Sequence, residues 1–336
     1  MLRSAPRLAL LAGLAAATTA LAGCAASAPA STESDGLSVV ASTNVYGSIA
    51  EAIGGDLVTV TSLITSAAQD PHSFEASAQD QLTLSKADLV IENGGGYDPF
   101  IDTLISAAAT DVPVVNASEA SGLLEGDAHS GDGHDASTGS ATGEGSATED
   151  DSATEDDGHD HIEGFNEHVW YSFHGVEHVA EEIAKQLAEL DADNAETYEK
   201  NYAAFAAQVA TLEATAEGMH ASTEGLGVAI TEPVPLYLLE AAGFTNKTPE
   251  AFSEAIEEGT DVAPAVLAET LDLFSAGSVS LLAYNEQTAS SETERVRSAA
   301  EENDVAVVEF TETLPDGADY VSWMTENLSA LSAALK

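Results

Sequence analysis

Residues 38–55, SVVASTNVYGSIAEAIGG, and residues 227–244, GVAITEPVPLYLLEAAGF, read alike. Each opens with an apolar strand-like run, passes through a polar turn, continues with apolar residues at helical spacing and reaches glycine. A strand that turns directly into a helix is the opening unit of a parallel α/β sheet. A later strand pairs off in the same way, DVPVV at 111–115 against DVAVV at 304–308. Two copies of one plan predict two (β/α) lobes facing each other across a cleft lined by the loops at the strand ends.

Working outward, the first half alternates between the two periods. Strands are expected at Leu37–Ala41, Leu57–Ile64, Ala87–Ile91 and Val112–Val115, and helices at Val45–Ile53, Gln79–Ala87 and Asp98–Ala109. The second half repeats this with strands at Leu226–Ile230, Val279–Ala283 and Val305–Val308. Its helices are expected at Leu236–Ala242, Ala263–Ala276 and Ser291–Asn303. Between the halves the pattern is helical. Val176–Leu190 forms one helix, and Asp193-Asn194 offers an N-cap for another over Ala195–His220. Such a helix spans about 39 Å at 1.5 Å per residue, enough to serve as a long rigid connection between lobes. The resulting division is 37–190 for the first lobe, 191–222 for the linking helix and 223–336 for the second lobe. The chain closes on an amphipathic helix with Tyr320, Trp323, Met324, Leu328, Leu331 and Leu335 on one face.

The N-terminus addresses the compartment. Arg3 and Arg7 precede an apolar run, Leu8–Ala20, too short for a permanent span, and Leu21-Ala22-Gly23-Cys24 has the form of a bacterial lipobox. Residues 1–23 are therefore expected to be a lipoprotein signal peptide, with Cys24 as the lipid attachment point. Cys24 is the only cysteine, which excludes a disulfide within the chain. Residues 24–36, rich in Ala, Ser and Pro, read as a tether that holds the protein to the outer face of the cell membrane.

The chain carries 58 acidic against nine basic residues, a formal charge of −49. Nucleic acid and anionic lipid headgroups would be repelled, so neither is an expected ligand. Residues 126–164 consist of Gly, Ser, Thr, Ala, Asp, Glu and His almost without apolar side chains. Such a segment has nothing to bury against its ordering entropy and is expected to be disordered inside the first lobe. Its His129, His134, His159 and His161 would bind metal weakly and in many geometries.

The remaining histidines are more selectively placed. His72 lies in a loop after a strand, with Pro71 stiffening its approach, and His168 lies where the apolar pattern resumes. His174, Glu177 and His178 spell H-x-x-E-H, a motif that places two imidazoles one helical turn apart with a carboxylate as base. That makes a surface metallopeptidase the rival enzyme reading, although Gly175 weakens the helix and no third ligand is signalled. No G-x-S-x-G, catalytic cysteine or phosphate loop is present.

Several stretches then carry a resemblance. DPHSFEAS (70–77), ADLVIENGGGYDPFID (87–102), NEHVWYS (166–172), DADNAETYEKNYAAF (191–205) and DYVSWMTENL (319–328) stand in this order. With the opening at 39–56, they resemble the zinc- and manganese-binding branch of ABC-importer solute-binding lipoproteins, cluster A-I, over residues 37–335. The resemblance implies one metal buried between two lobes, held by two imidazoles from the first and two groups from the second. His72 and His168 match the first pair. Glu232 follows the first strand of the second lobe, where zinc members often carry histidine and manganese members glutamate. Glu312, after the last strand, stands where aspartate is more usual.

Two imidazoles and two carboxylates neutralise a divalent cation and suit tetrahedral Zn2+, or Mn2+ with chelating carboxylates. The glutamate at 232 argues for manganese and the His-rich acidic segment for zinc, with zinc slightly favoured. The expected protein is a monomeric, non-enzymatic receptor that delivers its metal to an ABC permease and its ATPase. An adhesin or metal buffer on the same fold is the second rival.

Overall fold

The computed structural model describes residues 36–108, 111–124, 162 and 164–335. The expected signal peptide, Cys24, all but the last residue of the tether, and His129, His134, His159 and His161 lie outside the described residues. No helix among the described residues is long and apolar enough to cross a membrane.

The first sheet is built from β1 (Leu37–Thr43), β2 (Val58–Ile64), β3 (Leu89–Glu92) and β4 (Val114–Asn116). Its helices are α1 (Asn44–Gly54), α2 (Ala78–Leu84), α3 (Phe100–Ala108) and the single turn α4 (Ala117–Ala120). Two long helices follow, α5 (Phe173–Leu190) and α6 (Ala195–Thr223), the latter 29 residues. The second sheet contains β5 (Gly227–Ile230), β6 (Thr245–Asn246), β7 (Leu281–Asn285) and β8 (Ala306–Phe310). Around it lie α7 (Leu236–Ala241), α8 (Glu250–Glu257), α9 (Pro264–Ser275), α10 (Ser291–Glu302) and the closing α11 (Tyr320–Ala334).

Strand order is β2-β1-β3-β4 in one sheet and β6-β5-β7-β8 in the other, parallel throughout. The duplicated plan expected from the opening stretches is therefore present in the topology. In each sheet the order reverses beside the first strand, so a crevice opens at the carboxyl ends of β1 and β3, and again at β5 and β7.

Side-chain alternation sorts the strands between layers. Val39, Ala41, Leu89 and Ile91 point into a central core together with Val228, Ile230, Leu281 and Ala283 from the other sheet. Val90 faces a flanking cluster under α2 and α3, whereas Ala229, Leu282 and Tyr284 face another beneath α8, α9 and α10. The central core is continuous through α5, α6 and α11, with Val176, Phe205, Val209, Trp323 and Met324 buried in it. The long helix is thus packed into a core shared by both sheets rather than standing as a bare rod between lobes.

Polar contacts join the same halves. Asn44 Nδ2 donates to the Leu314 carbonyl at 3.1 Å and Leu314 N donates to Asn44 Oδ1 at 3.0 Å. Tyr171 OH donates to the Thr311 carbonyl at 2.7 Å, and Tyr237 OH to that of Asn166 at 2.9 Å.

Candidate metal centre

His72 sits in the loop after β2, beyond Pro71. Its backbone N–H donates to Asp70 Oδ1 at 3.0 Å, and Ser73 Oγ donates to Asp70 Oδ2 at 2.8 Å, so Asp70 braces the turn that presents the imidazole. His168 precedes the short 3-10 turn Val169–Tyr171 and is buried. Its Nδ1 lies 2.7 Å from Asn166 Oδ1, which also accepts from the His168 backbone N–H at 3.1 Å. Asn166 Nδ2 donates to the Pro233 carbonyl at 3.1 Å, which fixes the amide orientation. An amide oxygen can only accept, so Nδ1 carries the proton and Nε2 is the basic nitrogen of this tautomer.

On the facing side, Glu232 follows β5 and Glu312 follows β8, both buried. Asn285, the last residue of β7, donates from Nδ2 to Glu232 Oε2 at 2.5 Å and to Glu312 Oε1 at 2.7 Å. Thr288 Oγ1 donates to Glu232 Oε2 at 2.5 Å, and Tyr97 OH reaches across to Glu312 Oε2 at 3.1 Å. Tyr97 is presented by the loop Gly94-Gly95-Gly96, whose three residues all have positive φ, a backbone that L side chains resist. Asp98 closes this loop by accepting from Asn93 N at 2.7 Å and Gly94 N at 2.8 Å.

Ligand atoms of His72, His168 and Glu312 all lie within 4.8 Å of one another. Glu232 joins them through Asn285, which holds both carboxylates. Of the four residues singled out from the sequence, His72, His168 and Glu312 therefore meet within that distance, and Glu232 is tied to Glu312 by the Asn285 amide. A second group with the same spacing shares His72 and adds Glu167 and Glu257. Aromatic rings wall the donors: Tyr97 lies edge-on to His72 at 4.9 Å and to His168 at 5.7 Å, and Trp170 to His168 at 5.2 Å.

Burial raises the acids of this space. Glu232 is pushed up to about 7, chiefly by burial and against the donors Thr288 and Asn285. Glu312 rises to about 8 through burial and then the neighbouring Glu232 charge. Glu257 rises to about 10 through burial and then the charges of Glu167, Glu232 and Glu312. Without a cation these carboxyls favour their protonated forms near neutrality. A divalent metal supplies the positive charge that lets them ionise.

His174 and His178 stand apart, exposed on the first turns of α5 with Nε2 atoms 3.2 Å apart. Among the described residues neither belongs to a group that could hold a metal with a third ligand, so the H-x-x-E-H reading lacks its catalytic zinc sphere. The sequence reading left Tyr97, Asn166, Asn285 and Glu257 without a role at the site. Tyr97 stood within a quoted motif, and Asn285 lay two residues beyond its expected strand.

A two-lobed parallel α/β frame with nitrogen and carboxylate donors converging between its sheets is that of a metal-binding component of an ABC uptake system. The family model described as zinc-uptake complex component A, periplasmic (ZnuA) matches residues 39–334, and the chain belongs to that family. Its members are receptors, not enzymes.

Among similar proteins, the manganese ABC transporter substrate-binding lipoprotein scaA of Streptococcus gordonii is 27% identical over 322 residues, covering 89% of both chains. A putative metal-binding protein of Treponema pallidum (strain Nichols) is 25% identical over 61% of this chain, which spans 60% of that protein's length. The periplasmic zinc-binding protein TroA from Treponema pallidum shares the fold with a TM-score of 0.67 at 18% identity. That match covers 89% of this chain and 99% of TroA.

Proposed function

We propose that the chain captures one zinc or manganese ion between His72, His168, Glu232 and Glu312 and delivers it to an ABC permease driven by its ATPase. The observation that carries this reading is the meeting of two imidazoles and Glu312 within 4.8 Å, with Glu232 tied to Glu312 through Asn285. Two neutral imidazoles and two carboxylates neutralise a divalent ion as it leaves water. The family and TroA descriptions speak for zinc, and that of scaA for manganese. The described donor set itself is rich in oxygen, which suits manganese, whereas the Irving–Williams order gives zinc the tighter complex in vitro.

The test is the metal content of protein purified without added metal, followed by competition between Zn2+ and Mn2+. One equivalent of a divalent transition metal per chain is expected, with zinc displacing manganese. Protein that takes up neither ion would sink the reading.

We also propose that Cys24 carries a lipid that keeps the receptor at the outer face of the membrane. Cys24→Ser should release the protein into the soluble fraction with its metal affinity unchanged, as fractionation and a binding titration would show. A variant that stays with the membrane contradicts lipid anchoring.

A further inference from the structure

We infer that Glu257 is a further metal ligand, raising the coordination number above four and biasing the site toward ions that accept additional oxygen donors. This assignment rests on the receptor reading above. Glu257 is the last residue of α8, an element outside the set of strand-end loops that supply the other donors. Its Oε1 is buried, accepts no hydrogen bond and lies 3.8 Å from His168 Nδ1. A Glu257 ligand atom also lies within 4.8 Å of those of His72 and Glu167.

A purely structural role explains this placement poorly. A carboxylate at the C-terminal end of a helix meets the negative pole of the helix dipole. The charges around Glu257 are those of Glu167, Glu232, Glu312 and Glu258, all acidic. As an anion, a buried carboxylate oxygen that accepts no hydrogen bond among these acidic charges is stabilised by a cation, whereas without one it holds a proton.

Access fits the same role. A cavity of about 500 Å³ is lined by Asp70, His72, Glu257, Glu258, Asp261 and Thr288, so Glu257 and the His72 imidazole border the same space. With a divalent ion, three carboxylates leave one surplus negative charge. Asn285 Nδ2, Thr288 Oγ1 and Tyr97 OH all donate into that excess. Zinc prefers four ligands, whereas manganese gains from a fifth and sixth oxygen, so the added carboxylate favours manganese.

Affinities of wild type and Glu257→Gln for Mn2+ and Zn2+, measured against a competing chelator, test the assignment. The visible spectrum of each protein loaded with Co2+ reports coordination number independently. We expect Glu257→Gln to weaken Mn2+ at least about tenfold more than Zn2+. The weak cobalt bands of the wild type should become the intense bands of a four-coordinate ion. Glu257→Asp, which keeps a carboxylate on a shorter stem, should retain part of the manganese preference, and it carries the test if Glu257→Gln does not fold. An unchanged Mn2+/Zn2+ ratio with an unchanged cobalt spectrum overturns the assignment and leaves the receptor reading standing. A wild type that binds no metal overturns both.

Discussion

Truncating His168 to alanine is expected to remove most of the rise in melting temperature that saturating zinc or manganese gives the wild type. Four-ligand zinc sites contribute roughly 10–16 kcal/mol, so one lost ligand costs about 3 kcal/mol, or on the order of a hundredfold in affinity. At a metal concentration of about 1,000 Kd the wild type gains about 4 kcal/mol by mass action, and a hundredfold weaker variant only about 1.4 kcal/mol. His72→Ala, Glu232→Ala and Glu312→Ala should lose the shift similarly, although they lie on different sheets. His174→Ala and His178→Ala should behave as wild type, because their imidazoles are exposed on α5. A thermal-shift series on all six variants decides this. Loss of the shift at 174 and 178, with its retention at 72 and 232, would show that the site has been misplaced.

The second large effect is a dependence of metal-free stability on pH that metal reverses. Glu232 and Glu312 are raised from 4.5 to about 7 and about 8, mainly by burial. A group whose folded pKa lies above its unfolded value stabilises the fold while protonated. That contribution is full below about pH 4.5 and is lost as pH rises through 7 to 8. At about 1.4 kcal/mol per pKa unit, the loss is on the order of 3 kcal/mol for Glu232 alone. The metal-free protein should therefore melt several degrees lower at pH 8.5 than at pH 5.5 on account of these groups. Metal binds the ionised carboxylates, so the stabilisation it gives should widen over the same window, with protons released on binding. The Glu232→Gln, Glu312→Gln double variant should have a flatter metal-free profile. If it keeps the wild-type slope, these carboxyls are not its source.

Much of the frame was legible because parallel strands buried on both faces are continuous apolar runs, and because the plan occurs twice. β1, β3, β5 and β7 fall where such runs stand, with boundaries moved by two residues at most. β6 is two residues long, Thr245–Asn246, and leaves no periodic signal. α8 was missed for a different reason. Its apolar positions are few, Phe252 and Ile256, and acids surround them, so only packing against the second sheet reveals it.

His72 and His168 could be marked as selectively placed histidines, whereas Glu232 and Glu312, each two residues beyond a strand, were marked only through the family resemblance. Glu257 was hidden by its own type. One glutamate among 58 acidic residues carries no mark until the fold brings it, half-buried, beside two imidazoles. Asn166 and Asn285 were equally silent, since what they do depends on the neighbours the fold brings to them.

The core that runs unbroken from Ile91 and Val39 to Val228 and Leu281 would limit how a bound ion could be handed over. A clamshell releases its contents by swinging two halves about a flexible joint, with solvent filling the gap. Here that swing would expose the buried faces of α5, α6 and α11, at about 25 cal/mol for every Å² of apolar surface wetted. A docking permease that pulled on both halves would therefore meet something close to a single stiff block. Under the proposed function, local loosening of the 65–77 turn that carries His72, or of the end of α8, would wet less of that surface than a swing of the halves. Release of a bound ion would then ask work of a few side chains at the mouth rather than of the whole molecule.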